Sequence, residues 1–289
     1  MIEYKTMKEK LRAGLSKAIL FSVFLLAVIL YDSESLFSQP SKNVKDYKFR
    51  YVPNEAFGYS ESLYYKVGYK FITAGYGSIK ILPGPVVRND RKCYDVRFEV
   101  ESLKSLEFLY KIKNQFRSVL DIGGIFPWQF EERVREGKYK RDFNVQFDQV
   151  NHKAIVPKKD ETYPIPDYVY DVISAFYYVR TLNLSGMKKD SVFYLNNFVK
   201  DSTHTLGVKV VGRETIEVEA GKFRCIVIEP LMVNAGLFKN EGKVSIWLTD
   251  DDRKMPVKVA TKILIGYVGA ELIKYSGLRG PLNSLIKDK

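Results

Sequence analysis

Aromatic or aliphatic side chains alternate with polar ones through Leu63, Tyr65, Val67 and Tyr69, and again through Tyr94, Val96, Phe98 and Val100. A period of two is the mark of half-buried strands. Pro83, Gly84 and Pro85 punctuate one connection, and Gly123, Gly124 and Pro127 another. Further strands are expected at Phe116 to Ile122, Trp128 to Glu136, Tyr139 to Phe147 and Ala154 to Val156. Turn-like Gly137-Lys138 and Asp148 to Lys153 join them, so the first half of the chain reads as an antiparallel meander.

The period then changes. From Asp167 to Leu184 the apolar positions fit a helix, with Asp167 as its expected N-cap after Pro164-Ile165-Pro166 and Ser185-Gly186 as its stop. On a helical wheel its apolar arc covers more than half the circumference, so this helix cannot lie on a surface. Arg180 falls inside that arc. An arginine drawn into an apolar interior must meet a carboxylate, carbonyls or a bound anion, because unpaired burial costs several kcal/mol. An internal ion pair and a ligand-anchoring role both satisfy that demand. Asp171 is not the partner, since nine residues put it on the opposite face.

Beyond the helix, strands are expected at Val192 to Val199, His204 to Val211, Thr215 to Val218, Phe223 to Ile228, Lys243 to Leu248, Pro256 to Ile265 and Val268 to Tyr275. The fold class is therefore mainly β: an antiparallel sheet curled into an open or incomplete barrel around one central hydrophobic helix. No internal repeat of fixed period interrupts it.

The N-terminus follows another rule. Ala18 to Leu30 is a run of thirteen apolar or small residues entered through Lys8, Lys10, Arg12 and Lys17. A basic lead-in and a short apolar stretch make a secretory signal peptide, whereas a membrane-spanning helix needs about twenty apolar residues. Cleavage is expected after Ser38, with Ser35 as second site and retention as an anchor as the alternative. The expected organisation is a signal peptide at 1–38, an N-terminal extension at 39–60 and one β domain at 61–289 with its helix at 167–184. The leader carries five basic and four acidic residues, so its loss lowers the net charge only from +12 to +11. An exported basic chain meets anionic lipid headgroups and acidic polysaccharides rather than nucleic acid. Peripheral membrane contact fits that charge; so does a merely solvated basic surface. Cys93 and Cys225 are the two cysteines. In an oxidising compartment they either pair across a long loop or remain buried thiols, and sequence alone leaves both open.

Three segments together resemble a known group. They are Asp171-Val-Ile-Ser-Ala-Phe-Tyr-Tyr-Val-Arg180, Ala220-Gly-Lys-Phe-Arg-Cys225 and Val244-Ser-Ile-Trp-Leu-Thr-Asp-Asp-Asp-Arg-Lys-Met-Pro-Val257. They look like the exported bacterial proteins of the DUF3108 family, over about Glu61 to the end. The resemblance implies an envelope protein of β architecture and carries no established activity.

Catalytic motifs are absent. His152 and His204 are the only histidines, with no H-E-x-x-H and no paired cysteines, so no zinc site is indicated. There is no G-x-S-x-G elbow, and Gly75-Tyr76-Gly77-Ser78 lacks the rest of a phosphate loop. His204 shares a face with Leu206, Val208 and Val210, as a core histidine would. Asp250, Asp251 and Asp252 invite a calcium reading through Asp250 and Asp252, but their spacing lacks the alternation of a calcium loop. Arg253 is expected to pair with one of them at the surface. Glu131 and Glu132 cannot act as paired glycosidase acids, because adjacent strand residues point to opposite faces.

No catalytic residue and no cofactor is therefore assigned. The leading expectation is a non-enzymatic envelope protein holding a lipid or lipid-linked glycan in an apolar cleft, with Arg180, Phe176 and Tyr177 at the ligand. Twenty tyrosines suit such a cleft, and equally an ordinary β core. An envelope hydrolase acting on glycans and a structural or protein-interaction module are the alternatives. An integral outer-membrane barrel fits less well, because the helix breaks the hairpin series and the chain does not end in an aromatic-terminated strand.

Overall fold

The computed structural model describes residues 47–69, 72–108, 110–232, 244–262 and 267–287. The expected signal peptide lies outside them. Among the described residues no helix is long and apolar enough to cross a membrane.

Among the described residues sixteen strands form one antiparallel sheet. They are β1 (Ser62–Tyr69), β2 (Ile72–Ile81), β3 (Val86–Arg88), β4 (Arg91–Ser102), β5 (Lys113–Asp121), β6 (Pro127–Glu136), β7 (Tyr139–Asp148) and β8 (Lys153–Val156). After β9 (Glu161–Pro164) and the helix α1 (Val172–Thr181) come β10 (Val192–Val199), β11 (Ser202–Val218), β12 (Gly221–Met232), β13 (Val244–Thr249), β14 (Pro256–Lys262), β15 (Tyr267–Ser276) and β16 (Leu285–Ile286). The main path runs β10-β11-β12-β13-β14-β15-β1-β2-β4-β5-β6-β7-β8-β9, with β3 on β4 and β16 on β12. The sheet order is thus the chain order rotated: β15 pairs with β1, and the two free edges, β9 and β10, are neighbours in sequence. The barrel stays open at that seam, and α1 is the segment inserted there.

The helix is shorter than 167–184. Tyr168 has φ +52°, and Tyr170 is tied to β10: its N–H donates to the Asn196 carbonyl at 2.9 Å, and its carbonyl accepts from the Phe198 N–H at 2.7 Å. Backbone committed to a sheet edge cannot also be helical, so the N-cap is Asp171 and not Asp167. The Asp171 carboxylate accepts from the N–H groups of Ile173 (2.8 Å) and Ser174 (3.0 Å) and from the Ser118 hydroxyl (2.7 Å). Asp167 instead lies 3.1 Å from His152. Leu182 takes extended dihedrals and ends the helix, and Leu184–Gly186 forms a separate 3-10 turn.

One further expectation changes form. His204 to Val211 and Thr215 to Val218 belong to one strand, because a bulge between Val210 and Gly212 absorbs the irregularity that reads as a break.

The apolar arc of α1 is met from both sides. Ile173 and Tyr177 pack with Phe116, Phe130, Val145 and Phe147 of the first half of the sheet, while Ala175 and Val179 pack with Leu195, Val208, Ile226 and Leu248 of the second. The N-terminal segment from residue 47 is part of this core rather than an appendage: Phe57 is fully buried, and Phe49 stacks on Phe126 with centroids 5.5 Å apart.

The two cysteines are not bonded. Both are free and buried, Cys93 on β4 against Val119, Phe126 and Trp128, and Cys225 on β12 against Leu63, Phe223 and Leu272. The path from β12 to β4 crosses six strand steps, which places each thiol in its own cluster. Burial pushes each thiol up to about 12, so both stay protonated at neutral pH.

Candidate functional site

Strand directions define the two ends of the curled sheet. The β6–β7 turn at Gly137-Lys138 and the β10–β11 turn at Lys200-Asp201 lie at one end. The start of β1, the end of β2 and the loop after β13 lie at the other. Helix α1 closes that second end, and its C-terminus is anchored there through Arg180.

The Arg180 guanidinium is fully buried and forms a two-pronged pair with Glu61, Nη1 to Oε1 at 2.7 Å and Nη2 to Oε2 at 2.8 Å. It also donates to the carbonyls of Ala56 (3.3 Å) and Arg253 (3.2 Å). Burial opposes its charge, but the Glu61 carboxylate outweighs burial and leaves its pKa raised. Arg253 is not a surface partner of the aspartates; it is buried, at 7% exposure, with its own N–H on Asp251.

Between α1 and the turn-bearing end lies a cavity of about 220 Å³. Its walls are apolar: Phe98, Phe130 and Phe143 from one half of the sheet, Val208 and Ile228 from the other, with Phe176 and Tyr177 of α1 as floor. Arg180, directed at Glu61, does not line the cavity.

Four polar residues do line it: Glu132, Arg141, Asn197 and Lys200. Glu132 sits on the inward face of β6 between Phe130 and Val134 and is 5% exposed. Arg141 enters diagonally from β7, its Nε 3.5 Å from Glu132 Oε1. That distance gives Coulomb attraction without a hydrogen bond: Glu132 Oε1 and Asn197 Oδ1 are buried atoms with no hydrogen-bond partner. Burial pushes the Glu132 carboxyl up to about 7, with Arg141 and Lys200 pulling down and Glu136 pushing further up. Lys200 is lowered by its own partial burial and then by Arg141. The cavity is therefore a greasy slot with a cationic, partly unsatisfied polar corner.

Sequence reasoning missed this corner. The signal was a charged residue in an otherwise apolar inward series, Phe130-Glu132-Val134 on one strand and Arg141-Phe143-Val145 on the next. The opposite facing of Glu131 and Glu132 is seen directly, since Glu131 turns outward to Arg117 at 3.1 Å. Among the described residues Glu132 is the single carboxylate on the cavity wall, and Glu136 instead accepts from Asn114 Nδ2 at 2.6 Å.

The aspartate cluster is structural. Asp250 pairs with Arg213 at 3.0 Å and accepts from the Ser185 hydroxyl, while Asp251 holds Thr249, Arg253 and Ser284. Among the described residues no group of His, Cys, Asp and Glu is arranged to hold a metal ion, so the calcium alternative at Asp250 and Asp252 has no ligand set there.

A family model described as a protein of unknown function, DUF3108, matches residues 64–273. No curated protein matches the chain. Among solved structures, the chain is similar to a β-barrel-like protein of the domain of unknown function DUF1849 from Brucella abortus, with a TM-score of 0.50 and 10% identity over 78% of this chain and 98% of that one. A DUF1089-family protein from Pseudomonas aeruginosa is more distant, with a TM-score of 0.37 and 7% identity over 65% of this chain and 90% of that one. The first likeness supports the barrel-like fold and carries no chemistry.

Proposed function

The chain belongs to the DUF3108 family, and we propose that it is an exported, non-enzymatic cell-envelope protein that holds the apolar part of a lipid or lipid-linked glycan between α1 and the curled sheet. The observation that carries this reading is the cavity itself. Its aromatic and aliphatic walls, closed on one side by α1 and carrying one polar corner, suit an apolar occupant with a polar end.

Export rests on the basic lead-in and short apolar run of the N-terminus. Peripheral contact with an anionic membrane belongs to the same reading. Phe108 (79% exposed) and Tyr139 (50% exposed) stand at the turn-bearing end with exposed Lys138 and Lys140, a combination that suits a headgroup layer. The hydrolase alternative is weaker, since glycoside hydrolysis ordinarily needs two carboxylates across one bond and the cavity wall supplies one.

The test is native mass spectrometry with lipid extraction on protein purified from the periplasm without detergent. A stoichiometric lipid or lipid-linked sugar is expected. Ile228→Trp, which fills the cavity, should abolish that adduct in protein whose circular dichroism remains that of the folded wild type. Ligand-free protein that also fails to take up an apolar fluorescent probe would remove the carrier reading in favour of an interaction module.

A further inference from the structure

Given the carrier reading, we propose that the occupant is an amphiphile with an anionic head, its apolar chain against Phe176 and Tyr177 and its head at Glu132, Arg141, Asn197 and Lys200. Three features of the polar corner lead there.

The first is placement. Arg141, beside the β6–β7 turn, and Lys200, in the β10–β11 turn, put both cations towards the turn-bearing end, while Asn197 stands beside Tyr170 at the start of α1. An engineered apolar cavity of about 150 Å³ takes up benzene, so about 220 Å³ holds a somewhat larger apolar group. The corner fixes which end of the molecule points outward.

The second is charge. Arg141 and Lys200 are two cations facing one buried carboxylate. Burial first and Arg141 second hold Lys200 below its ordinary value, against the opposite pull of Asp201 and Glu132. An anionic head supplies the missing charge. A cationic head would have only Glu132 to meet and two cations to avoid.

The third is hydrogen bonding. Glu132 Oε1 is buried and unpartnered on the cavity wall. Leaving such a group unmade costs about 1–3 kcal/mol. A carboxylate head resolves the Glu132 side by sharing one proton with it, as paired carboxyls do, while Arg141 binds the remaining charge. A phosphate monoester offers the same chemistry. The shared requirement is an acidic oxygen head beside Arg141.

The experiment uses three probes of identical eight-carbon tail, octanoate, 1-octanol and octylamine, titrated into the purified protein in competition with a bound fluorescent apolar probe. Octanoate should bind at least about tenfold tighter than 1-octanol, a difference of about 1.4 kcal/mol, and octylamine weakest. Arg141→Gln should remove most of the octanoate advantage over 1-octanol. Lys200→Gln, in the β10–β11 turn, should lower it in the same direction and guards against misfolding of the Arg141 variant. Equal binding of octanoate and 1-octanol, tighter binding of the amine, or a bound probe that none of the three displaces would overturn the head assignment while the cavity reading stands. If the fluorescent probe itself does not bind, the carrier reading fails with it. Monooctyl phosphate run beside octanoate identifies which acidic head the corner prefers.

Discussion

Glu132 is the residue on which chemistry and stability meet. Its carboxyl, pushed up to about 7 chiefly by burial, binds a proton in the folded protein at pH values where the unfolded chain has released it. Its contribution to stability is therefore fully present below about pH 4.5 and is lost as pH rises through about 7. The difference amounts to about 3 kcal/mol at most. Glu132→Gln should accordingly match the wild type near pH 5 and exceed it by about 2–3 kcal/mol at pH 8 in urea denaturation. An equal offset at both pH values would contradict a carboxyl that folds protonated. Asp171, pushed up to about 6 by burial against its hydrogen bonds, has the same sign and leaves a smaller pH dependence in the variant. Sequence made Glu132 visible only as one of a pair that could not cooperate. Its inward orientation could be read from the strand's period, but its importance depended on Arg141 of β7 and Lys200 of the β10–β11 turn.

At the scale of elements, the pairing of α1 with the start of β1 decides whether the helix stays in place. Glu61 and Arg180 are each fully buried and each holds the other's charge, with the Tyr177 hydroxyl 3.4 Å from Glu61 Oε1. Breaking such a pair from one side leaves an unmatched interior charge at a cost of about 3–5 kcal/mol, while exchanging both partners for apolar residues is often neutral. Arg180→Met and Glu61→Leu should thus each destabilise by several kcal/mol, and the double variant should recover most of the loss; additive losses would show that the pair itself is not what matters. The cost of Arg180 was legible from its place in the helix's apolar arc, and so was the wrapped helix. Its partner was not, because Glu61 lies 119 residues away and no local pattern marks it. The helix start was misjudged for a related reason: Tyr170 is recruited by the edge of β10, a tertiary demand that Asp167-first capping rules cannot see.

For the molecule as a whole, period-two alternation revealed most of the long strands but passed over β2, where Gly75 and Gly77 interrupt the apolar series, and it gave no neighbours beyond hairpins. The one ladder joining the first half of the sheet to the second is β1 on β15, from Ser62 opposite Ser276 to Tyr69 opposite Val268. Hairpin neighbours pair over short loops, whereas this ladder spans most of the chain, and such contacts form late because closing a long loop costs entropy before contacts repay it. Pulse-labelled hydrogen exchange during refolding should protect amides of β5–β7 and β11–β12 before those of β1 and β15. Simultaneous protection would point to a nucleus that spans both halves.

The rotated strand order has a last consequence. The first and last long strands of the chain sit side by side in mid-sheet, and the sheet's edges lie in mid-chain. Two runs of neighbouring strands, β1–β9 and β10–β14, each form a shell that contributes part of the wall around Phe176, and β15 joins them. A chain that stops before Tyr267 holds both shells and no seal between them, so the capacity to enclose a guest arrives only with the final long strand.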